Sequence, residues 1–269
     1  MKFQLLPSTF DDSGMASGKQ HLTCFVIDDT VAIDAGSLAM AASPLQQVRI
    51  RDIVLTHAHL DHIAGLPLFI DDLFSVLTEP VTVHSTQPVI DTLERDVFNW
   101  SVYPKFSALS NAHGPVLVYR RFGPGEEFQV KHLTFRAIDV NHKVPSAGFL
   151  VSDGAATVAL SGDTAEMDAF WTVVNGAPNI SAIILECAFP DELEELAKIS
   201  SHLNPRRLMA ELEKCRIDCP IYIVNLKPMH MGAIVEQLAE LKIDKLEVLE
   251  VGRTYYWGTD DPKLSDSIP

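Results

Sequence analysis

The run His57-Ala58-His59-Leu60-Asp61-His62 constrains this chain more than any other six residues in it. Three imidazoles and a carboxylate are ligand types taken by zinc, iron and manganese, and here they fall within one short stretch. The apolar segment Asp52-Ile53-Val54-Leu55-Thr56 before the run reads as a short buried strand. Leu66–Phe74 after it reads as a helix with Pro67 in the first turn. The ligands therefore sit on a tight strand-to-helix connection. Four of them crowd a single ion from so short a loop, and two neighbouring ions relieve that crowding. His57 and His59 would then turn toward one ion, Asp61 and His62 toward the other.

The rest of the chain supplies sheets for such a site. Segments rich in β-formers recur at His21–Ile27, Val31–Ile33, Val81–His84, Val116–Tyr119, Phe128–Val130, Leu133–Ile138, Gly148–Val151 and Thr157–Leu160, broken by Gly, Pro and Asp. Helical patterns fall at Pro44–Val48 and Pro88–Phe98. The last third alternates: helices at Ala165–Val174, Arg206–Lys214 and Ala233–Leu241 precede strands at Ala182–Leu185, Ile221–Val224 and Leu246–Val251. Many strands with helices on either side imply an α/β (α+β) arrangement of two sheets sandwiched between helices, as one domain over residues 1–269. No repeat or low-complexity linker divides the chain.

Composition narrows the partners. With 269 residues, 47% of them hydrophobic, the chain can bury a full core. Its formal charge of −15 repels polyanions and gives no counterion-release gain, which disfavours a long nucleic acid and leaves a small anionic substrate held at metal. No apolar run reaches the roughly eighteen residues of a membrane span. The N-terminal segment lacks the h-region of a secretory signal, so a cytoplasmic location is expected. Cys24, Cys187, Cys215 and Cys219 are scattered, and Cys215-x3-Cys219 is too wide for the common zinc or redox spacing; reduced, incidental thiols fit the same compartment. The oligomeric state is not readable from sequence, although a homodimer is compatible with it.

The pattern His57-x-His59-x-Asp61-His62 resembles the H-x-H-x-D-H signature of the metallo-β-lactamase superfamily, whose fold is a four-layer αββα sandwich with metals at the sheet edge. The resemblance extends down most of the chain. It implies that His142, before Gly148-Phe149, is the third histidine of a first metal site with His57 and His59. It implies that Asp163, in Ser161-Gly162-Asp163-Thr164, bridges to a second ion held by Asp61 and His62. Asp34, in Ile33-Asp34-Ala35-Gly36, would fix the loop by hydrogen bonds rather than bind metal. Leu60 before Asp61, Phe98-Asn99-Trp100 with Tyr103-Pro104-Lys105-Phe106, Ser201-His202-Leu203-Asn204-Pro205 and Leu226-Lys227-Pro228 are similar to the class II cyclic-nucleotide phosphodiesterase branch, whereas Pro67 departs from it. That likeness implies a phosphodiesterase using metal-activated hydroxide on a small or cyclic nucleotide. Asp61 and His202 are its candidate catalytic residues, and Lys227 is a further positive charge near the phosphate.

One position breaks the family pattern. The strand Ile221–Val224 should lead into a histidine that completes the second metal site, and Asn225 stands there instead. A neutral amide oxygen is a poor zinc ligand beside imidazole nitrogen. Asn225 could bind weakly through oxygen or a water; His230 could fill the place; or the second ion could be loosely held or absent. The expectation is two divalent ions, zinc first with iron or manganese as alternatives, the second site weakened. The other readings that stay open are a lactone, thioester or RNA 3′-end hydrolase of the same superfamily, and a non-catalytic metal- or nucleotide-binding module.

Overall fold

A computed structural model describes residues 1–258. Two seven-stranded sheets face each other. The first runs, in spatial order, Thr254–Tyr256, Lys2–Leu5, Phe25–Ile27, Val31–Ile33, Asp52–Val54, Val81–Ser85 and Leu117–Arg121. Its N-terminal half is antiparallel, and from Val31–Ile33 onward neighbouring strands are parallel. The second sheet runs Leu246–Val248, Ile221–Val224, Ile180–Glu186, Thr157–Leu160, Ala147–Ser152, Leu133–Asp139 and Glu127–Val130. Here the first four strands are parallel and the rest antiparallel.

Side-chain alternation assigns the layers. Phe3, Ile27, Ile33 and Val54 from one sheet meet Phe135, Phe149, Val158, Leu160 and Ile184 from the other in the central core. Their strand neighbours Val26, Ala32, Ile53 and Val83 point outward to Leu38, Leu66, Phe69 and Ile70 on the helices Leu38–Ala41 and Gly65–Leu73. On the far side Ala159, Ile183, Leu185 and Ile223 pack against Phe170, Trp171, Leu208 and Ile234 of the helices Asp168–Gly176, Pro205–Leu212 and Met231–Glu240. The result is the αββα sandwich that the sequence implies.

Element boundaries moved where the local pattern was short. The edge pair Lys2–Leu5 with Thr254–Tyr256 and the helix Glu194–Ser200 have no counterpart in the sequence reading. The β-rich stretch His21–Ile27 forms a strand only from Phe25, because residues before it turn to meet the histidine loop: Thr23 N–H donates to the Asp61 carbonyl at 2.8 Å. The helix expected over Pro88–Phe98 is α-helical only to Thr92 and continues as a π-turn over Leu93–Val97.

What matters for function is the shared edge. The parallel strands of both sheets end on the same side, the usual location of sites in parallel sheets. There Ile33 leads into Asp34, Val54 toward His57, Leu160 toward Asp163, and Val224 into Asn225. Ala147 N–H donates to the Thr56 carbonyl at 3.0 Å, tying the two sheets together beside the site.

Candidate metal centre

Asp34 organises the centre from beneath. Its buried carboxylate accepts from Thr56 N–H at 2.8 Å, from the Thr56 hydroxyl at 2.9 Å, and from His62 Nδ1 at 2.6 Å. With its proton spent on Asp34, the Thr56 hydroxyl can only accept from His57 Nδ1, 2.9 Å away. His142 Nδ1 lies 3.0 Å from the Ser201 carbonyl, and His202 Nδ1 lies 2.8 Å from Glu186. In all four histidines Nδ1 thus faces a hydrogen-bond acceptor, which turns Nε2 of each toward the centre.

These nitrogens converge. His57, His59 and His142 bring ligand atoms within 4.8 Å of one another, as do His57, His62 and Asp163, and as do His142, Asp163 and His202. His142 Nε2 is 3.1 Å from His59 Nδ1, a spacing bridged by a proton or by a shared cation. His57 Nε2 and His62 Nε2 are buried without a hydrogen-bond partner, although they lie 3.9 and 3.3 Å from Asp163 Oδ2. Buried ring nitrogens are rarely left unpaired. A divalent ion supplies what each of them lacks, so the donor set fits the metal that the fold implies.

Electrostatics agree. Burial, reinforced by the charge of His62, pushes His57 well below the usual histidine range, and burial with the neighbouring His142 lowers His59. Burial also lowers His142. These three are therefore neutral, the form that binds metal. Burial opposes charge on His62 too, but Asp163 and Asp34 flank it and raise it well above the ordinary value. Asp163 is held low against burial by His62. His202 is raised because Glu186 outweighs the cost of burial.

The remaining expected residues lie as follows. Asp61 stands outside these groups, with Oδ2 3.4 Å from Lys227 Nζ. Asn225, at φ +60°, donates through Nδ2 to Asp163 Oδ1 at 2.8 Å. His230 caps the helix Met231–Glu240 and joins none of the groups. Glu186 was missed by the sequence reading. It is buried at the end of the apolar run Ala182–Leu185 and accepts from Thr164 N–H at 3.0 Å and Leu203 N–H at 3.3 Å as well as from His202. A lone carboxylate closing the run Ala182-Ile183-Ile184-Leu185 was the available signal.

Comparison with known proteins fits this geometry. The family described as "Beta-lactamase superfamily domain" matches residues 29–231, which span the whole centre. The chain belongs to this superfamily. A probable 3′,5′-cyclic-nucleotide phosphodiesterase from Yersinia pestis is 26% identical, over 81% of this chain and 76% of its own length. A nuclear ribonuclease Z from Triticum aestivum is 27% identical over 49% of this chain and 69% of its own. The crystal structure of unliganded yeast PDE1 superposes with a TM-score of 0.74 at 16% identity, covering 94% of this chain and 98% of that one, a likeness of fold. The chain thus carries the metal-binding architecture of a metallo-β-lactamase-fold hydrolase, with two candidate clusters that share His57. No helix among the described residues is long and apolar enough to cross a membrane.

Proposed function

We propose that this superfamily member hydrolyses phosphodiesters, and that a small anionic phosphodiester such as a cyclic nucleotide is its substrate. The observation that carries the reading is the His202–Glu186 pair, whose histidine lies within 4.8 Å of ligand atoms of both His142 and Asp163. In this reading His57, His59 and His142 hold one ion and His62 and Asp163 reach a second. Bound metal would supply a hydroxide near neutral pH and positive charge for the phosphoryl oxygens. Around it, Glu186 keeps His202 charged and aims its Nε2 proton at the leaving oxygen. In the same reading Asp61, paired with Lys227, would orient the attacking water, and Lys227 would add positive charge for the phosphate.

The names of two relatives, a cyclic-nucleotide phosphodiesterase and a ribonuclease Z, share phosphodiester hydrolysis as their chemistry. The second reading, an RNA 3′ end as substrate, draws on the ribonuclease relative and is opposed by the −15 charge. A metal-loaded preparation assayed on cyclic AMP, bis(4-nitrophenyl) phosphate, a tRNA precursor and an acyl lactone separates these. Turnover of the small phosphodiesters is expected, with kcat reduced about 10²–10⁴-fold in His202→Ala. Lactone opening with inert phosphodiesters would overturn the proposal, and cleavage of the precursor alone would move it to RNA.

A further inference from the structure

We propose that Lys227 and Asn225 hold the second metal position against its ion, so that this protein carries one tight ion and a second position that a lysine ammonium competes for. The inference rests on the metal centre and not on the substrate, and its test uses no substrate.

The position is defined by what surrounds it. Asp163 divides its two oxygens: Oδ2 faces His57 and His62, while Oδ1 accepts from Asn225 Nδ2 at 2.8 Å. The amide orientation follows from chemistry, because the reverse would set the Asn225 oxygen against a carboxylate oxygen. Asn225 therefore presents a donor toward Asp163, where a metal would need an acceptor. Asp61 is the other acidic group on this side, and it meets Lys227 Nζ at 3.4 Å. Both side chains are about a third exposed, 29% for Asp61 and 32% for Lys227, so the lysine stem is free to approach or withdraw. At the helix start the backbone N–H of His230 donates to the Lys227 carbonyl at 2.8 Å, and the His230 imidazole joins none of the clusters. The two groups that would hold a second ion besides His62 are thus each paired with a nitrogen donor of this chain.

The consequence is a competition. An ion entering beside Asp61 must displace an ammonium from its carboxylate or sit close to a like charge. It must also take one oxygen of Asp163 without the imidazole that usually accompanies it. The first cluster, His57, His59 and His142, has no lysine or arginine paired to it among the described residues, and one ring nitrogen of each histidine faces the others.

Zinc counted by elemental analysis after dialysis, with calorimetric titration of metal-free protein by ZnCl₂, tests this. The native chain should retain one ion, with a second binding about 100-fold more weakly. Lys227→Met should tighten the second ion about tenfold, Lys227→Arg should not, and Asn225→His should tighten it by about 10- to 100-fold, the range found when a partner of a metal site is changed. Asn225→His is compatible with the backbone, since histidine is among the residues that tolerate the positive φ found there. Two ions of equal affinity in the native chain would overturn the proposal. So would equal second-site affinity in Lys227→Met and Lys227→Arg. Because only metal binding is read, inert phosphodiesters would count against the proposed substrate and leave this result standing.

Discussion

At φ +59° Asp34 sits in the left-handed region with a fully buried carboxylate, and it sets the protonated nitrogen of His62 directly and of His57 through Thr56. It touches no position that the metal would occupy, yet two of the inward-facing Nε2 atoms depend on it. Asparagine tolerates the same backbone, so Asp34→Asn isolates the charge and the acceptor. Its amide cannot accept from the Thr56 N–H, the Thr56 hydroxyl and His62 together. Zinc affinity should fall about 10–100-fold, and urea unfolding of the metal-free protein should show a loss of about 1–3 kcal/mol. Unchanged zinc affinity in a folded variant would mean that the histidine tautomers are set elsewhere.

Between elements, backbone hydrogen bonds pin the histidine loop in addition to the Asp34 side chain. Ala35 N–H donates to the His62 carbonyl at 2.7 Å, Gly36 N–H to Thr23 at 2.8 Å, and Gly65 N–H returns to Ala35 at 2.9 Å. Three chain segments pass so closely at Gly36 that a Cβ there would land on the Asp61 carbonyl oxygen, with Thr23 N 2.7 Å away. None of these is the end of a flexible side chain. Gly36→Ala should therefore cost about 3 kcal/mol or more and shift His62, lowering zinc occupancy in parallel. Gly232, inside the helix Met231–Glu240, has open space around a Cβ, and Gly232→Ala should be neutral or stabilise by up to about 1 kcal/mol. Chemical denaturation of the two variants side by side checks the contrast; equal effects would show that close approach at Gly36 is not what matters.

Across the whole molecule, the outer end of the sandwich is clamped by charge. Lys131 and His132 form the turn between Glu127–Val130 and Leu133–Asp139 of the second sheet. They reach Asp52 at 3.1 Å and Asp28 at 2.7 Å on the first sheet, where His84 also meets Asp52 at 2.9 Å. Burial works to raise Asp52, but the hydrogen bonds from His84 and Lys131 prevail and lower it. A carboxyl lowered in the folded state stabilises above the ordinary aspartate range, and that contribution disappears as pH falls through the folded value. Asp52→Asn should thus cost about 1–2 kcal/mol at pH 7, and the gap to the native chain should narrow steadily below about pH 4. A gap independent of pH, measured by urea unfolding across that range, would assign the loss to packing instead.

The sequence by itself determined what is local. Ligand types within six residues, an apolar strand before them and a helix after them are properties of one short segment, as are the short β-forming apolar runs Thr157–Leu160 and Ile221–Val224, where the structure has strands with those same bounds. Tertiary structure decided the pairings. His142 comes to 3.1 Å from His59 across 83 residues, and Lys227 reaches Asp61 across 166. Glu186 gains its role only when His202 folds back over it. Lys2–Leu5 becomes a strand because Thr254–Tyr256 lies beside it, which four alternating residues cannot announce. The physical reason is that periodicity fixes which face of an element is apolar, whereas strand order and register fix which polar ends share an edge. The six residues at 57–62 could announce a metal centre; whether one ion or two rests firmly there depends on Asn225 and Lys227, brought in by the other sheet.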